Sequence, residues 1–254
     1  MDDVTTECLN YLMKSFRIVL RFAAQKRIQK NVAFPFGAKS GHCGSGMNTE
    51  LEEKSAVAIM NAGLIAKLVD LMKHSSAKVC KEALDTLHYC LTVDIKKPLL
   101  ASEITLFKSL FAHEDHVVRA KAARNIMDAS VCQEGVTEAI QQGIVPALVE
   151  MLADIELEVR ACSAGAIMML GVNIEGKLAL VKAGAVESLL KMLRDDYQEG
   201  RLHCVKALTV LGECPKARET LLGEIELLER LRFDQIPAVR HAVKVAIGVI
   251  TWKP

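Results

Sequence analysis

Apolar runs recur along this chain at a nearly constant spacing, each followed by a polar turn and then by a second, alanine-rich amphipathic run. The first runs occupy residues 68–72, 107–111, 148–152, 189–193 and 227–231, so their starts lie 39, 41, 41 and 38 residues apart. The second runs open at Val79, Val118, Val159, Gly200 and Val239, spaced 39, 41, 41 and 39. Two landmarks that keep one period define an internal repeat, which chance clustering of apolar residues would not produce. Four positions after each opening residue stand Ala83, Ala122, Ser163, Cys204 and Val243, and eight after it stand Leu87, Ile126, Ile167, Leu208 and Ile247. Steps of four and eight stay on one face of a helix, so small and large residues alternate along a stripe that is expected to be buried.

Gly63, Gly143 and Gly184 precede three of the first runs, each directly after a short helical pattern. Glycine there can adopt positive φ and close a helix with a left-handed corner. Glu103 holds the equivalent place in the second repeat and Glu224 follows Gly223 in the fifth, so those corners are expected to be less regular. Each unit reads as a short helix, a corner, a helix of about eight to ten residues, a polar turn and a longer helix. Three helices at this period follow the armadillo plan. The expected fold is all-α: a right-handed armadillo or HEAT-like solenoid of about five repeats over residues 48–254.

Residues 1–47 share neither the period nor the stripe. Residues 9–30 carry Lys14, Arg17, Arg21, Lys26, Arg27 and Lys30 without an acid, and Pro35 and four glycines break the stretch that follows. This leader reads as a flexible basic and glycine-rich segment, and its removal is expected to leave the melting temperature of the rest unchanged within a few degrees. The leader's charge also suits a membrane surface or calmodulin, while Asp2, Asp3 and Glu7 argue against mitochondrial import.

Composition narrows the function. Apolar residues make up 51% of the chain and aromatics only 4%, the balance that helix-on-helix cores favour. Lys plus Arg (32) nearly equals Asp plus Glu (31), so no global field draws in nucleic acid. No apolar stretch reaches the roughly 20 residues of a membrane span. Eight scattered cysteines without a CxxC pair point to a reducing compartment.

Charge keeps the same beat as the core. Arg119, Arg160, Arg201 and Arg240 recur at one position, and Asp154, Asp195 and Asp234 each precede an arginine by six residues. HEAT-type repeats, which these residues resemble, use such pairs to join neighbouring repeats, so a structural ladder is expected. If its aspartates are exposed, each rung contributes about 0.2–1 kcal/mol. Lys121, Arg124, Lys206 and Lys244 remain as candidates to line a groove for an acidic partner.

Residues that could carry chemistry are few. His113 and His116 stand three apart around Glu114 and Asp115, whereas a helical zinc site of the protease type needs histidines four apart, so the cluster reads as a polar turn. The glycines between Gly41 and Gly46 lack the strand before and the lysine after that a phosphate cradle needs. No serine elbow appears, and His203 and Cys204 point to different faces of their helix. Nuclear import receptors grip cargo with asparagines and tryptophans on their inner helices. Seven positions after each opening residue, only Asn125 is of that kind, and the single tryptophan is Trp252. No catalytic residue, cofactor, metal or small-molecule substrate is expected.

Several stretches resemble one armadillo family, the radial spoke head protein fourteen homologues of cilia and flagella. They are residues 118–124 followed by Glu134-Gly135, residues 164–168 followed by Glu175-Gly176-Lys177, residues 206–211, and the end from Ala246 to Trp252-Lys253-Pro254. The resemblance covers roughly residues 54–254, about the C-terminal two thirds of a family member. It implies a non-catalytic subunit of the axonemal radial spoke that supports ciliary and flagellar motility, with other spoke subunits as partners and a location in the axoneme, the cytoplasm and the cytoskeleton. The alternative is a soluble cytoplasmic adaptor that binds a peptide in its groove. Because family members carry further repeats before the position of Gly63, the helix around Ala56 to Met60 is expected to present an uncapped apolar face.

Overall fold

A computed structural model describes residues 56–93 and 101–252. The basic leader, residues 1–47, lies outside the described residues. The chain divides into two compact units, Met1–Asp94 and Ile95–Pro254. Every regular element among the described residues is helical.

In the first unit, residues 56–61 are helical and end at Gly63, whose φ of 67° makes the expected left-handed corner. Then follow α1 (Ile65–Met72) and α2 (Ala77–Val93), packed against each other. Leu68, Val69 and Met72 of α1 and Ala83, Leu84 and Leu87 of α2 are buried. The expected apolar face at the first helix is not found. Ala56, Ile59 and Met60 are buried in a cluster with Leu68 and Cys90, and Leu64, Ile65 and Tyr89 pack around it. Only Val57 and Ala58 point outward there.

The second unit comprises α3 (Ala101–Leu110), α4 (His116–Ala129), α5 (Gln133–Gln141), α6 (Ile144–Met151), α7 (Leu157–Val172), α8 (Ile174–Lys182), α9 (Ala185–Met192), α10 (Gln198–Leu211), α11 (Pro215–Gly223), α12 (Ile225–Arg230), a 3-10 turn (Leu231–Phe233) and α13 (Pro237–Ile250). The four long helices stack in order, α4 on α7, α7 on α10 and α10 on α13. The alternating stripe forms the seam of that stack: Ala122, Ser163, Cys204 and Val243 are fully buried, as are Ile126, Ile167 and Leu208. Small residues let the helices approach, and the large ones fill the space between them.

Local chemistry sets the helix ends. Asp115 caps α4 by accepting from the Val117 N–H, Asn173 caps α8 by accepting from Glu175 and Gly176, and Pro215 and Pro237 begin α11 and α13. Gly143 (φ 66°) and Gly184 (φ 78°) make the left-handed corners before α6 and α9. The two irregular corners differ from this and from each other. Glu103 is buried inside α3, which runs straight through the place where a glycine turns the other repeats. Glu224 has φ −113°, and the helix after it is shortened to six residues before the 3-10 turn.

Two further glycines are fixed by contact. A Cβ on Gly135 would lie 1.9 Å from the Ala129 carbonyl oxygen, and one on Gly176 would lie 2.1 Å from that of Leu170. Each short helix starts against the end of the preceding long helix, so backbone meets backbone with no room for a methyl group.

Replacing Leu193, only 2% exposed, with alanine is expected to lower stability by about 2–5 kcal/mol in urea unfolding. Gly176→Ala is expected to cost about 1–3 kcal/mol, because the backbone must shift. Gly248→Ala is the control: nothing lies within 4 Å of its new methyl in α13, so it should gain about 0.5–1 kcal/mol. A neutral Gly176→Ala would disprove the close approach.

Candidate functional site

The recurring arginines tie successive corners together. Arg119 Nε and Nη2 each donate over 2.9 Å to the Asp154 carboxylate, 35 residues further on. Arg160 Nε donates to Asp195 over 2.5 Å, and Arg201 Nε and Nη2 donate to Asp234 over 2.7 and 3.1 Å. The Nη1 of each arginine turns the other way, to two carbonyls of the corner before its own helix: His113 and Glu114 for Arg119, Asp154 and Ile155 for Arg160, Asp195 and Asp196 for Arg201. Each aspartate also accepts the N–H two residues ahead, from Glu156, Tyr197 or Ile236, over 2.8–2.9 Å. One carboxylate thus shapes its own turn while it holds the arginine of the preceding repeat.

These rungs are not the exposed pairs that the sequence suggested. The aspartate side chains are 14%, 3% and 5% exposed, and the arginines 14–18%. Removing one partner therefore strands a poorly solvated charge, which costs several-fold more than breaking a surface pair. Burial pushes the Asp154 and Asp234 carboxyls up, but hydrogen bonds from their arginines and from the N–H of Glu156 and Ile236 outweigh it, and both end below the ordinary carboxylate value. The same bonds hold Arg119 and Arg201 above theirs.

The ladder has two departures at its front that periodicity did not reveal. His113 occupies the aspartate position in the corner before α4, and its Nδ1 accepts the Asp115 N–H over 3.0 Å. His74 does the same for Ser76 at 2.9 Å in the first unit, where Cys80 replaces the arginine. The imidazole reproduces the turn without the anion. The His113 to His116 cluster is therefore a corner that Arg119 clamps, and no group of three metal-ligating side chains occurs among the described residues. A further tie joins Lys177, only 6% exposed, to Glu213, 36 residues on.

The lysines taken as groove candidates do not form one row. Lys121 and Arg124 lie one turn apart on α4, and Lys206 holds the position of Arg124 two long helices further along. Between them that position is Gly165, where a Cβ would meet Met127 Sδ at 3.0 Å and His203 Nδ1 at 3.2 Å. Lys244 sits one residue out of register, turned by about 100°. Acids share the face with these cations. Glu158 and Glu199 lie near enough to Cys162 to raise its thiol, Lys121 and Arg124 near enough to lower it, and burial, the largest effect, brings it up to about 12. Tyr197 donates to Glu199 over 2.8 Å, and this bond, with burial, raises its phenol to about 12. The open face of α4, α7 and α10 thus carries half-buried cations beside exposed acids.

Other reactive groups here serve packing. The Cys204 thiol is fully buried, donates to the Leu189 carbonyl over 2.9 Å and is pushed up by desolvation. Burial likewise raises Cys90 to about 12 and lowers Lys206. Burial lowers His203 below the ordinary imidazole value, and its Nδ1 lies 3.0 Å from the Ala161 carbonyl oxygen. Asn125 is fully buried and donates to the Lys121 carbonyl, so it does not face a ligand. No described helix is long and apolar enough to cross a membrane.

Comparison with known proteins places this architecture. A family model described as armadillo/beta-catenin-like repeat matches residues 53–92. An engineered protein of known crystal structure superposes with a TM-score of 0.76 at 22% identity, over 99% of this chain and 94% of that one. A designed armadillo repeat protein in complex with peptide (KR)4 gives 0.69 at 22% identity, over 78% and 86% of the two chains. Computationally designed armadillo repeat proteins for modular peptide recognition give 0.68 at 22%, over 77% and 86%. The fold is an all-α solenoid of the armadillo type.

Arg160→Ala is expected to lower stability by on the order of 3 kcal/mol, well above the surface value. A loss below about 1 kcal/mol would show that the rung is solvated. Because the Asp154 and Asp234 values are depressed on folding, their contribution is complete above the unfolded carboxyl value and fades as pH falls through the folded one. Thermal melts should therefore drop steeply below about pH 4. The Asp154→Asn, Asp234→Asn double variant should start lower at neutral pH and decline less in acid.

Proposed function

We propose that this chain is a non-catalytic scaffold that holds protein segments, and that its binding surface is the open face of α4, α7 and α10. The observation that carries this reading is a division of labour. Arg119, Arg160 and Arg201 join successive repeats, and the stripe of small and large residues forms the seam, whereas Lys121, Arg124, Glu158 and Glu199 stand on the remaining face of the same helices. A charged, shallow surface suits a protein partner better than a small substrate, which needs a deeper and more apolar pocket.

The partners we propose are the other subunits of the axonemal radial spoke, and the location a cilium or flagellum. This reading rests on the sequence resemblance. Gly135, Gly176 and Lys177 within the resembling stretches have structural reasons to be where they are, namely close backbone contact and the tie to Glu213. Trp252 is 60% exposed at the edge of a groove, and we take it as a contact for a partner. The second reading, an adaptor that takes an extended peptide on the same face, is favoured by Glu158 and Glu199. They offer anions to a basic peptide, and a designed armadillo repeat protein of this fold is in complex with peptide (KR)4.

Fractionation of ciliated cells separates the two. A spoke subunit should remain with the axoneme after detergent extraction, and a cytoplasmic adaptor should leave with the soluble fraction. Reversing Lys121 and Lys206 to glutamate should reduce axonemal incorporation, scored by immunoblot of isolated axonemes. Unchanged incorporation and normal beating would remove that face from the proposal.

A further inference from the structure

The last rung of the ladder is open. Arg240 repeats the inward half of the pattern, its Nη1 donating to the Asp234 and Gln235 carbonyls over 2.7 and 3.1 Å. Among the described residues, no carboxylate meets its Nε and Nη2, the atoms that in Arg119 and Arg201 grip the next aspartate. Arg240 is exposed, unlike the three arginines before it.

The helix that carries Arg240 is uncovered on the same side. Arg240, His241, Lys244, Gly248 and Trp252 are exposed at helical spacing along and just past α13, and half-buried Val245 and Val249 lie beside them. Lys244, Val245, Gly248, Val249 and Trp252 line a groove of about 300 Å³ together with Arg218, one helical turn and more along α13 from Arg240. Among the described residues the groove is lined by two cations, two valines, a glycine and an indole, with no carboxylate, and α13 itself contains no acid. Gly248 leaves open space where a side chain would stand.

We propose that this face is a second docking surface, separate from the open face of α4, α7 and α10, and that its occupant is an acidic amphipathic helix of a partner protein with an aspartate at its N-terminal turn. The molecule itself supplies the template. Each long helix is covered by the next, and each arginine fork is closed by an aspartate at the turn before that next helix. An incoming helix that follows the pattern places its turn aspartate on Arg240, its apolar side chains against Val245, Val249 and Trp252, and a further acid near Lys244 and Arg218. Two other occupants fit less well. A second copy stacking in the same sense through its first described repeat would bring His74 to the fork, which carries no anion. The leader at residues 9–30 is cationic, like the face it would have to cover.

Trp252 is the only tryptophan in the chain, so its emission reports on this surface directly. The full-length protein is titrated with a synthetic 20-residue amphipathic helix carrying an N-terminal aspartate, further acids on its polar face and leucines on the other. Saturable binding with a blue shift of Trp252 emission is expected. Changing the peptide's acids to lysine should abolish it. Arg240→Glu should weaken binding about tenfold or more, as losing one partner of a desolvated charge pair does. Lys244→Glu, at an exposed residue whose substitution does not threaten the fold, should weaken it about threefold or more. Lys191→Glu, at an exposed residue of α9 that belongs to neither surface, should leave it unchanged. The proposal is overturned if emission does not shift, if the lysine peptide binds equally well, or if both Arg240→Glu and Lys244→Glu bind like the wild type. Self-association that buries Trp252 without peptide, detected by light scattering, also overturns it in favour of a second copy.

Discussion

A buried carboxylate shared between two repeats is the constraint on which the second unit depends. Hydrophobic burial along the helix seam supplies the larger share of cohesion, but it is non-directional and would tolerate helices that slide or rotate on one another. The Arg119–Asp154, Arg160–Asp195 and Arg201–Asp234 pairs do not tolerate it. Each guanidinium is anchored by backbone carbonyls at one corner and by a carboxylate at the next, so the register of adjacent repeats is fixed by hydrogen-bond geometry. The cost of desolvating the charges is offset because the Asp154, Asp195 and Asp234 carboxylates also accept a backbone N–H.

The same architecture also uses side chains of other kinds. Groups that elsewhere act as acids, bases or nucleophiles are committed to turns and seams: His74 and His113 to corners, His203 to the Ala161 carbonyl, Cys204 to the Leu189 carbonyl. What remains for a partner is shallow and charged. Binding to such a surface relies on many modest contacts and on complementary charge, which favours specificity and rate of encounter over raw affinity.

Much of this was legible in the sequence, because repetition turns one weak local signal into several concordant ones. The period located the long helices, the alternation of small and large residues located their seam, and the glycines before three apolar runs located the left-handed corners. The Arg and Asp spacing pointed to the ladder. Spacing carries no information on solvent access, however, so the burial of Asp195 and Asp234 could not be read from it. The tie between Lys177 and Glu213 does not recur at the period among the described residues, and the substitution of histidine for aspartate at positions 74 and 113 breaks the very pattern used to find the rungs. Lys206 and Lys244 are both cations on long helices. A difference of one residue in register places them on different faces.

The shared carboxylate gives the stack a polarity. Any cut between two rung partners leaves a guanidinium fork on the piece before the cut and an aspartate on the piece after it. The two severed surfaces are complementary in charge as well as in apolar shape, so fragments of this unit carry matching ends, and the information needed to rejoin them in the right order and sense is written at every junction.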